Sequence, residues 1–186
     1  MNTPIPSGDG LHVAIQGPLA FVRVLGRGTF KISSSLKEFA VRAINSGCRR
    51  LVLDMSECVG MDSTFMGVLA GLAFRLRTVP DGRIVMVNLN QRTRGLLATL
   101  GLDEAVDPHL AGSWPEDLKP FLAGGGKPLA ALPVEERDEA ETAQTMLEAH
   151  EDLVRLSPEN LPKFKDVLTF LREDLKKSGG TAPGAR

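Results

Sequence analysis

The chain of 186 residues has little cysteine and histidine, no tyrosine and a single tryptophan. Two cysteines are too few for a disulfide scaffold, and the spacing of Cys48 and Cys58 suits neither a redox pair nor half of a zinc site. The histidines His12, His109 and His150 have no cysteine or carboxylate companion at metal-ligand spacing. We therefore predict no metal, no cofactor, and cysteines that are small buried or turn residues.

A long apolar run is also missing from the chain. No stretch approaches the roughly 20 apolar residues that a membrane-spanning helix needs. Residues 1–8 have neither the basic nor the apolar region of a secretory signal. These features predict a cytoplasmic protein without a membrane span.

The chain has no overall excess of charge of either sign, since its formal net charge is -1. The charge is uneven, because residues 133–177 hold 12 acidic and 7 basic residues while the remainder holds 11 acidic and 15 basic residues. The basic excess is small and no aromatic set for base stacking accompanies the arginines, so we predict solvated surface and no nucleic-acid partner. The arginines concerned are Arg49, Arg50, Arg75, Arg77, Arg92 and Arg94.

What the chain does contain is the composition of a soluble globular protein, with 42% apolar and 24% charged residues. Its first part predicts two strands joined by a turn, at Leu11–Gly17 and Ala20–Leu25, because apolar and polar residues alternate there. A helix pattern follows, capped within Ser33–Ser35 and ended at Gly47. This helix would return the chain to the sheet.

The middle of the chain continues the alternation of strand and helix. The nearly unbroken apolar run Leu51–Met55 predicts a central strand. The helix pattern after it is broken at Pro80–Gly82, and the strand Arg83–Asn88 follows. A last helix is predicted between its cap Asn90 and its terminator Gly101. The order predicts a layered α/β domain.

Asp62, Ser63 and Thr64 stand at the predicted start of the second helix. The first turn of a helix leaves backbone N–H groups unpaired and carries the positive end of the helix dipole, so a phosphate is stabilised there. Ser63 is therefore a candidate phosphate acceptor. The alternative from the same residues is that Asp62 or Ser63 simply caps the helix.

Several segments of the chain resemble the STAS family, the sulfate transporter and anti-sigma factor antagonist domains. The resemblance covers about residues 11–110. It implies an α/β fold with a STAS-like mixed β-sheet covered by helices. The segments that carry it are Leu51–Asp54, Met61–Thr64, Gly67–Ala70, Gly82–Asn88 and Arg92–Asp103.

The resemblance also implies a function, that of a non-enzymatic anti-sigma factor antagonist in bacterial transcription regulation. Such proteins bind a partner anti-sigma factor serine kinase, or a related switch protein, until that kinase phosphorylates the serine after the helix-start aspartate. Here that serine is Ser63, and Thr64 is the secondary candidate because it is β-branched and one step further into the helix. The expected partner-binding residues are Asp54, Asp62, Phe65, Met66 and Asn88.

The chain departs from the family pattern at Phe65, where the family usually has glycine. A glycine would let a partner's backbone or nucleotide approach closely, whereas a phenylalanine either turns into the core or blocks that approach. Asp54, Asp62 and Asn88 also have simpler interpretations, as strand-end or cap residues.

The C-terminal third lies outside the resemblance. Residues 111–133 are rich in proline and glycine and predict a linker with a partly packed stretch around Trp114 and Phe121. The run Gly124–Lys127 lacks the glycine spacing, the following hydroxyl and the preceding strand of a phosphate-binding loop, so we interpret it as linker. Residues 1–10 and 178–186 are predicted to be a flexible N-terminus and a disordered tail.

Residues 134–177 predict a helical hairpin, because apolar residues recur at steps of three and four in two stretches separated by Ser157–Glu159. Each stretch has one apolar stripe that must be buried against its partner, the main domain or another chain. His150 lies on the first stripe and is interpreted as a packing residue. A homodimer through the hairpin is one possible outcome.

The sequence is compatible with three functions. The first is the phosphorylation-switched antagonist, and the acidic hairpin could fold back over the Ser63 edge and restrict access to it. The second is a STAS adaptor or scaffold that is not phosphorylated and binds partners, or itself, through the domain and the hairpin. The third is an enzyme with Ser63 as nucleophile, and neither a neighbouring histidine base nor an oxyanion-type glycine turn is expected to support it.

Overall fold

The structure is a computed structural model that describes residues 8–179. The rest of the predicted flexible N-terminus and disordered tail, residues 1–7 and 180–186, lies outside the described residues. The strands are β1 (Gly10–Gln16), β2 (Leu19–Gly28), β3 (Arg50–Asp54), β4 (Cys58–Met61), β5 (Arg83–Leu89), β6 (Asp107–Leu110) and β7 (Ala130–Ala131). The helices are α1 (Phe30–Asn45), α2 (Ser63–Arg77), α3 (Gln91–Thr99), α4 (Glu139–Leu156) and α5 (Leu161–Gly179).

The strands form one mixed sheet in the order β6-β5-β3-β2-β1-β7, with β4 paired to the end of β2. The hairpin of β1 and β2 is antiparallel, while β2, β3, β5 and β6 run parallel to one another. Parallel neighbours require crossover connections, and α1, α2 and α3 supply them. The predicted α/β fold with a mixed sheet is confirmed.

The two faces of the sheet are covered differently, because side chains alternate along each strand. In β3, Leu51 and Leu53 belong to the main core beneath the helices, whereas Val52 belongs to a smaller cluster on the opposite face. That second cluster is closed by residues of the segment 111–133, including Trp114 and Leu118. The segment predicted as a linker thus covers the second face of the sheet.

Helix α1 begins earlier than the sequence predicts. Its N-cap is Thr29, not a residue of Ser33–Ser35. The carboxylate of Asp62 accepts a hydrogen bond from the N–H of Phe30 at 2.8 Å, so the capping oxygen comes from a residue 32 positions away. A local pattern could not show this cap, and Ser33 and Ser35 are buried inside the helix instead.

The predicted C-terminal hairpin is confirmed as α4 and α5. Helix α4 begins with a capping box formed by Asp138 and Glu141. It packs along α2, and α5 packs against α4 through its buried residues Leu168 and Leu171. Every helix among residues 8–179 is too short or too polar to cross a membrane.

Candidate functional site

Asp62 fixes the start of α2. Its Oδ1 accepts a hydrogen bond from the N–H of Phe65 at 2.8 Å, which makes it the N-cap of α2. Its Oδ2 caps the start of α1 through the N–H of Phe30, and its own N–H donates to the carbonyl of Gly28 at 2.8 Å. One carboxylate therefore holds the ends of two helices together, which leaves Ser63 as the first residue of α2.

The hydroxyl of Ser63 contacts a histidine from the C-terminal hairpin. Ser63 Oγ lies 2.9 Å from His150 Nε2. The other ring nitrogen, Nδ1, lies 2.6 Å from the carbonyl oxygen of Met146, which can only accept. In the neutral ring Nδ1 therefore carries the proton, so Nε2 accepts the hydrogen bond that the Ser63 hydroxyl donates.

His150 is the residue of this site that sequence reasoning missed, and the expectation that Ser63 has no neighbouring histidine is wrong. It stands 87 positions from Ser63, and its place on the apolar stripe of α4 predicted only packing. The ring does pack, since it is 3% exposed and meets the ring of Phe164 edge-on at 4.9 Å between centroids. A lone polar residue on an apolar stripe was the available signal, because a buried imidazole needs hydrogen-bond partners.

The three residues that follow Ser63 point into the protein. Thr64 and Met66 are buried, and Phe65 is 0% exposed. The Phe65 ring fills the space above Gly28, where a Cβ would come within 2.7 Å of it. Phe65 thus turns into the core instead of covering Ser63. Phe65 and Met66 present almost no surface to a partner in this conformation.

Asp54 and Asn88 form a second cluster on the other face of the sheet. Asn88 Nδ2 donates to Asp54 Oδ1 at 2.8 Å, and Arg23 Nε donates to Asp54 Oδ2 at 2.9 Å. Asn88 has a positive φ of 59°, and its Oδ1 accepts a hydrogen bond from Trp114 Nε1 at 2.6 Å. The structure therefore brings Asp54 and Asn88 together and points them toward the segment around Trp114, not toward α2.

The charge of Asp54 is stabilised by this network. Burial by itself raises the pKa of Asp54, but hydrogen bonds from Asn88, the Ser56 backbone and Arg23 outweigh burial and lower the pKa below its ordinary value. Asp54 is therefore an ionised residue at the end of β3 that is joined to Arg23 of β2 and Asn88 of β5.

Two exposed apolar side chains lie at the start of α1 and on β4, the strand that precedes α2. Phe30, whose N–H is bound by Asp62, is 40% exposed, and Val59 on β4 is 58% exposed. Exposed apolar residues next to a polar site are a feature of surfaces that contact other proteins.

Among residues 8–179 there is no group of three or more side chains placed to hold a metal ion.

Comparison with known protein families identifies the fold. A family model described as "Mlab, STAS domain" matches residues 11–111. The match spans more than half of the chain, so the chain belongs to the STAS family, as the sequence predicts.

Solved structures of anti-sigma factor antagonists share this fold. The Bacillus protein SpoIIAA in its unphosphorylated form is 16% identical over 61% of this chain and 96% of its own, with a TM-score of 0.51. The NMR structure of TM1081 from Thermotoga maritima is 14% identical over 62% of this chain and 88% of its own, with a TM-score of 0.50. No curated protein matches the sequence.

Proposed function

We propose that this protein is a non-enzymatic regulatory binding protein of the anti-sigma factor antagonist type, switched when a partner serine kinase phosphorylates Ser63. The observation that carries the proposal is the position of the Ser63 hydroxyl at the first residue of α2, fixed there by Asp62. SpoIIAA, which shares the fold, has been solved in both unphosphorylated and phosphorylated forms.

Electrostatics gives the switch its physical basis. A phosphate adds roughly -1.5 to -2 charges at neutral pH. The positive end of the α2 dipole tolerates that charge. The phosphate would repel an acidic partner surface that fits the neutral hydroxyl beside the Asp62 carboxylate. An apolar partner surface would have to bury the charge of the phosphate, which is also unfavourable. Phosphorylation therefore weakens partner binding while the domain stays folded.

The partner surface that we propose centres on the start of α2. It combines Asp62 and Ser63 with the exposed side chains of Phe30 and Val59. Asp54 and Asn88 support this surface indirectly, because they tie together the strand ends from which it is built. Thr64 is the secondary acceptor, and its burial means that it is reached only if the start of α2 loosens.

Affinity purification from the native host tests this function. The wild-type chain is expected to recover a serine kinase that modifies Ser63 when ATP is added. Ser63→Ala should still bind the kinase but accept no phosphate there, and Ser63→Asp should bind at least about tenfold more weakly because of its added charge. Unaltered binding of Ser63→Asp would contradict the switch.

A second candidate function is a STAS adaptor that self-associates through the hairpin. The observation that favours it is an exposed apolar strip on α5, where Phe170 is 66% exposed next to Val167, with Leu161 exposed at the helix start. A self-associating chain would run at a multiple of its 20.0 kDa mass in light scattering. Phe170→Glu should then restore a single-chain mass, while the matched change Lys176→Glu should not. A wild-type chain that runs at 20.0 kDa would exclude this function.

A further inference from the structure

Helix α4 lies directly on α2, and glycines in α2 make the approach possible. A Cβ on Gly67 would lie 2.7 Å from Ala149 Cβ and closer still to the backbone carbonyl of Ala149. One turn further along, a Cβ on Gly71 would overlap the carboxylate of Asp152. The α2 backbone therefore meets the α4 backbone at Gly67, one turn after the residue that bears the candidate hydroxyl, and the Asp152 side chain at Gly71.

The rest of the hairpin is held by polar contacts along α4 and at the turn into α5. In the middle of α4, Lys37 pairs with Glu148, and Ser34 Oγ lies 3.1 Å from Thr145 Oγ1. At the turn into α5, Asn160 Nδ2 donates to the carbonyls of Leu100 and Leu153 at 2.9 and 2.8 Å. The partly exposed Lys37–Glu148 pair contributes little, whereas the buried Asn160 bonds anchor the turn, so the docking of α4 depends on the centre of its interface with α2.

At that centre, Ser63 and His150 are joined directly. A separation of 2.9 Å is a single hydrogen bond, and a tetrahedral phosphoryl group does not fit within it. The His150 ring has little room to withdraw, because Phe164 lies behind it and Ala149 holds the backbone against Gly67. The neutral ring also presents a lone pair at Nε2, which repels a phosphate oxygen.

The negative charge of α4 also disfavours a phosphate on Ser63 while the hairpin is docked. Residues 139–156 contain five carboxylates and one arginine. Two of the carboxylates, Glu151 and Asp152, directly follow His150 in the sequence, and Asp152 is half-buried with its pKa raised chiefly by burial. A phosphate on Ser63 would place a further one to two negative charges against this helix.

We infer that the α4–α5 hairpin is a latch over α2 that a phosphate on Ser63 releases. The inference rests on the proposed function, because it takes Ser63 as the phosphate acceptor. In the unmodified chain the Ser63–His150 hydrogen bond completes the docked state. In the phosphorylated chain the hairpin and the phosphate exclude each other, and the α2 face around Gly67 becomes exposed. Since coupling between two equilibria is reciprocal, docking of the hairpin disfavours the phosphorylated state of Ser63 by the same factor by which the phosphate disfavours docking.

Hydrogen exchange on the full chain tests the latch without a kinase. Phosphoserine is introduced at position 63 by site-specific incorporation, and the amide protection of residues 146–153 is compared with that of the unmodified chain. The matched control carries phosphoserine at Ser56, an exposed residue of the loop between β3 and β4. We expect at least about a tenfold loss of protection for the first protein and none for the second, because only the first loses the buried contact.

Two results would overturn the latch. One is unchanged protection of α4, which would mean that the phosphate points away from the hairpin. The other is increased protection, which would mean that His150 becomes protonated and binds the phosphate. A released hairpin in a chain that no host kinase modifies would leave the latch standing and refute the proposed function. Modification of Ser63 by a host kinase without release of the hairpin would refute the latch and leave the proposed function standing.

Discussion

At the scale of single residues, Asp62 accepts hydrogen bonds from the first turns of both α1 and α2. Losing an N-cap costs about 0.5–2 kcal/mol of stability. Because Asp62→Ala removes two capping bonds, we expect it to lower the free energy of unfolding by about 2 kcal/mol. Chemical denaturation of the full chain measures this change.

The control for this prediction is Asn90→Ala, which removes the cap of a single helix, α3. Its expected cost is about 1 kcal/mol. An equal loss for the two variants would show that the contact between Asp62 and the start of α1 contributes nothing to stability.

Asp54 gives a prediction of pH dependence. Its pKa is lowered in the folded protein, so its charge stabilises the fold fully above the unfolded pKa of about 3.9. That contribution is lost as the pH falls through the folded value. We therefore expect Asp54→Asn to cost about 1–3 kcal/mol at neutral pH and progressively less below about pH 4. Denaturation curves of both proteins across this range check it, and a constant difference would contradict it.

At the scale of elements, the crossing of α2 and α4 depends on the absence of a side chain at Gly67. Gly67→Ala would drive a methyl group into the Ala149 backbone, so we expect a loss of about 1–3 kcal/mol and easier proteolysis of the hairpin. Gly95→Ala is the matched control, because a Cβ on this α3 glycine meets nothing within 4 Å. It should be neutral or stabilising by up to about 1 kcal/mol. Similar proteolysis of both variants would refute the close crossing.

Most elements of this chain could be predicted from local pattern, although the short strands β4, β6 and β7 were not, and two other exceptions have a common cause. The strand at Leu51–Asp54 and the helix start at Ser63 are visible as an apolar run and a capping residue. The true start of α1 was missed because its capping carboxylate, Asp62, comes from another element. The contact of Ser63 with His150 was missed for the same reason, since the two residues meet only after the hairpin docks.

At the scale of the whole molecule, the sheet has a different cover on each face. The helices and the docked hairpin cover one face, and the segment around Trp114 covers the other. Composition alone suggested a linker for that segment, because it is rich in proline and glycine and only some of its scattered apolar residues face the sheet. The sequence indicated the partly packed stretch but could not show what it packs against.

This arrangement places Ser63 where the domain and the hairpin meet. Asp54 and Asn88, which the resemblance groups with Asp62 as partner-binding residues, point to the opposite face because side chains alternate along β3 and Asn88 has a positive φ. A regulatory phosphate on Ser63 would therefore act on the helical face and leave the other face unchanged.

The most direct test of the account is mass spectrometry of the Ser63 peptide from protein isolated from its native host, with and without the co-purifying kinase and ATP. We expect a phosphate on Ser63 that appears with ATP and is accompanied by release of the partner. A phosphate found on another residue, or a partner that stays bound when Ser63 is fully phosphorylated, would contradict it.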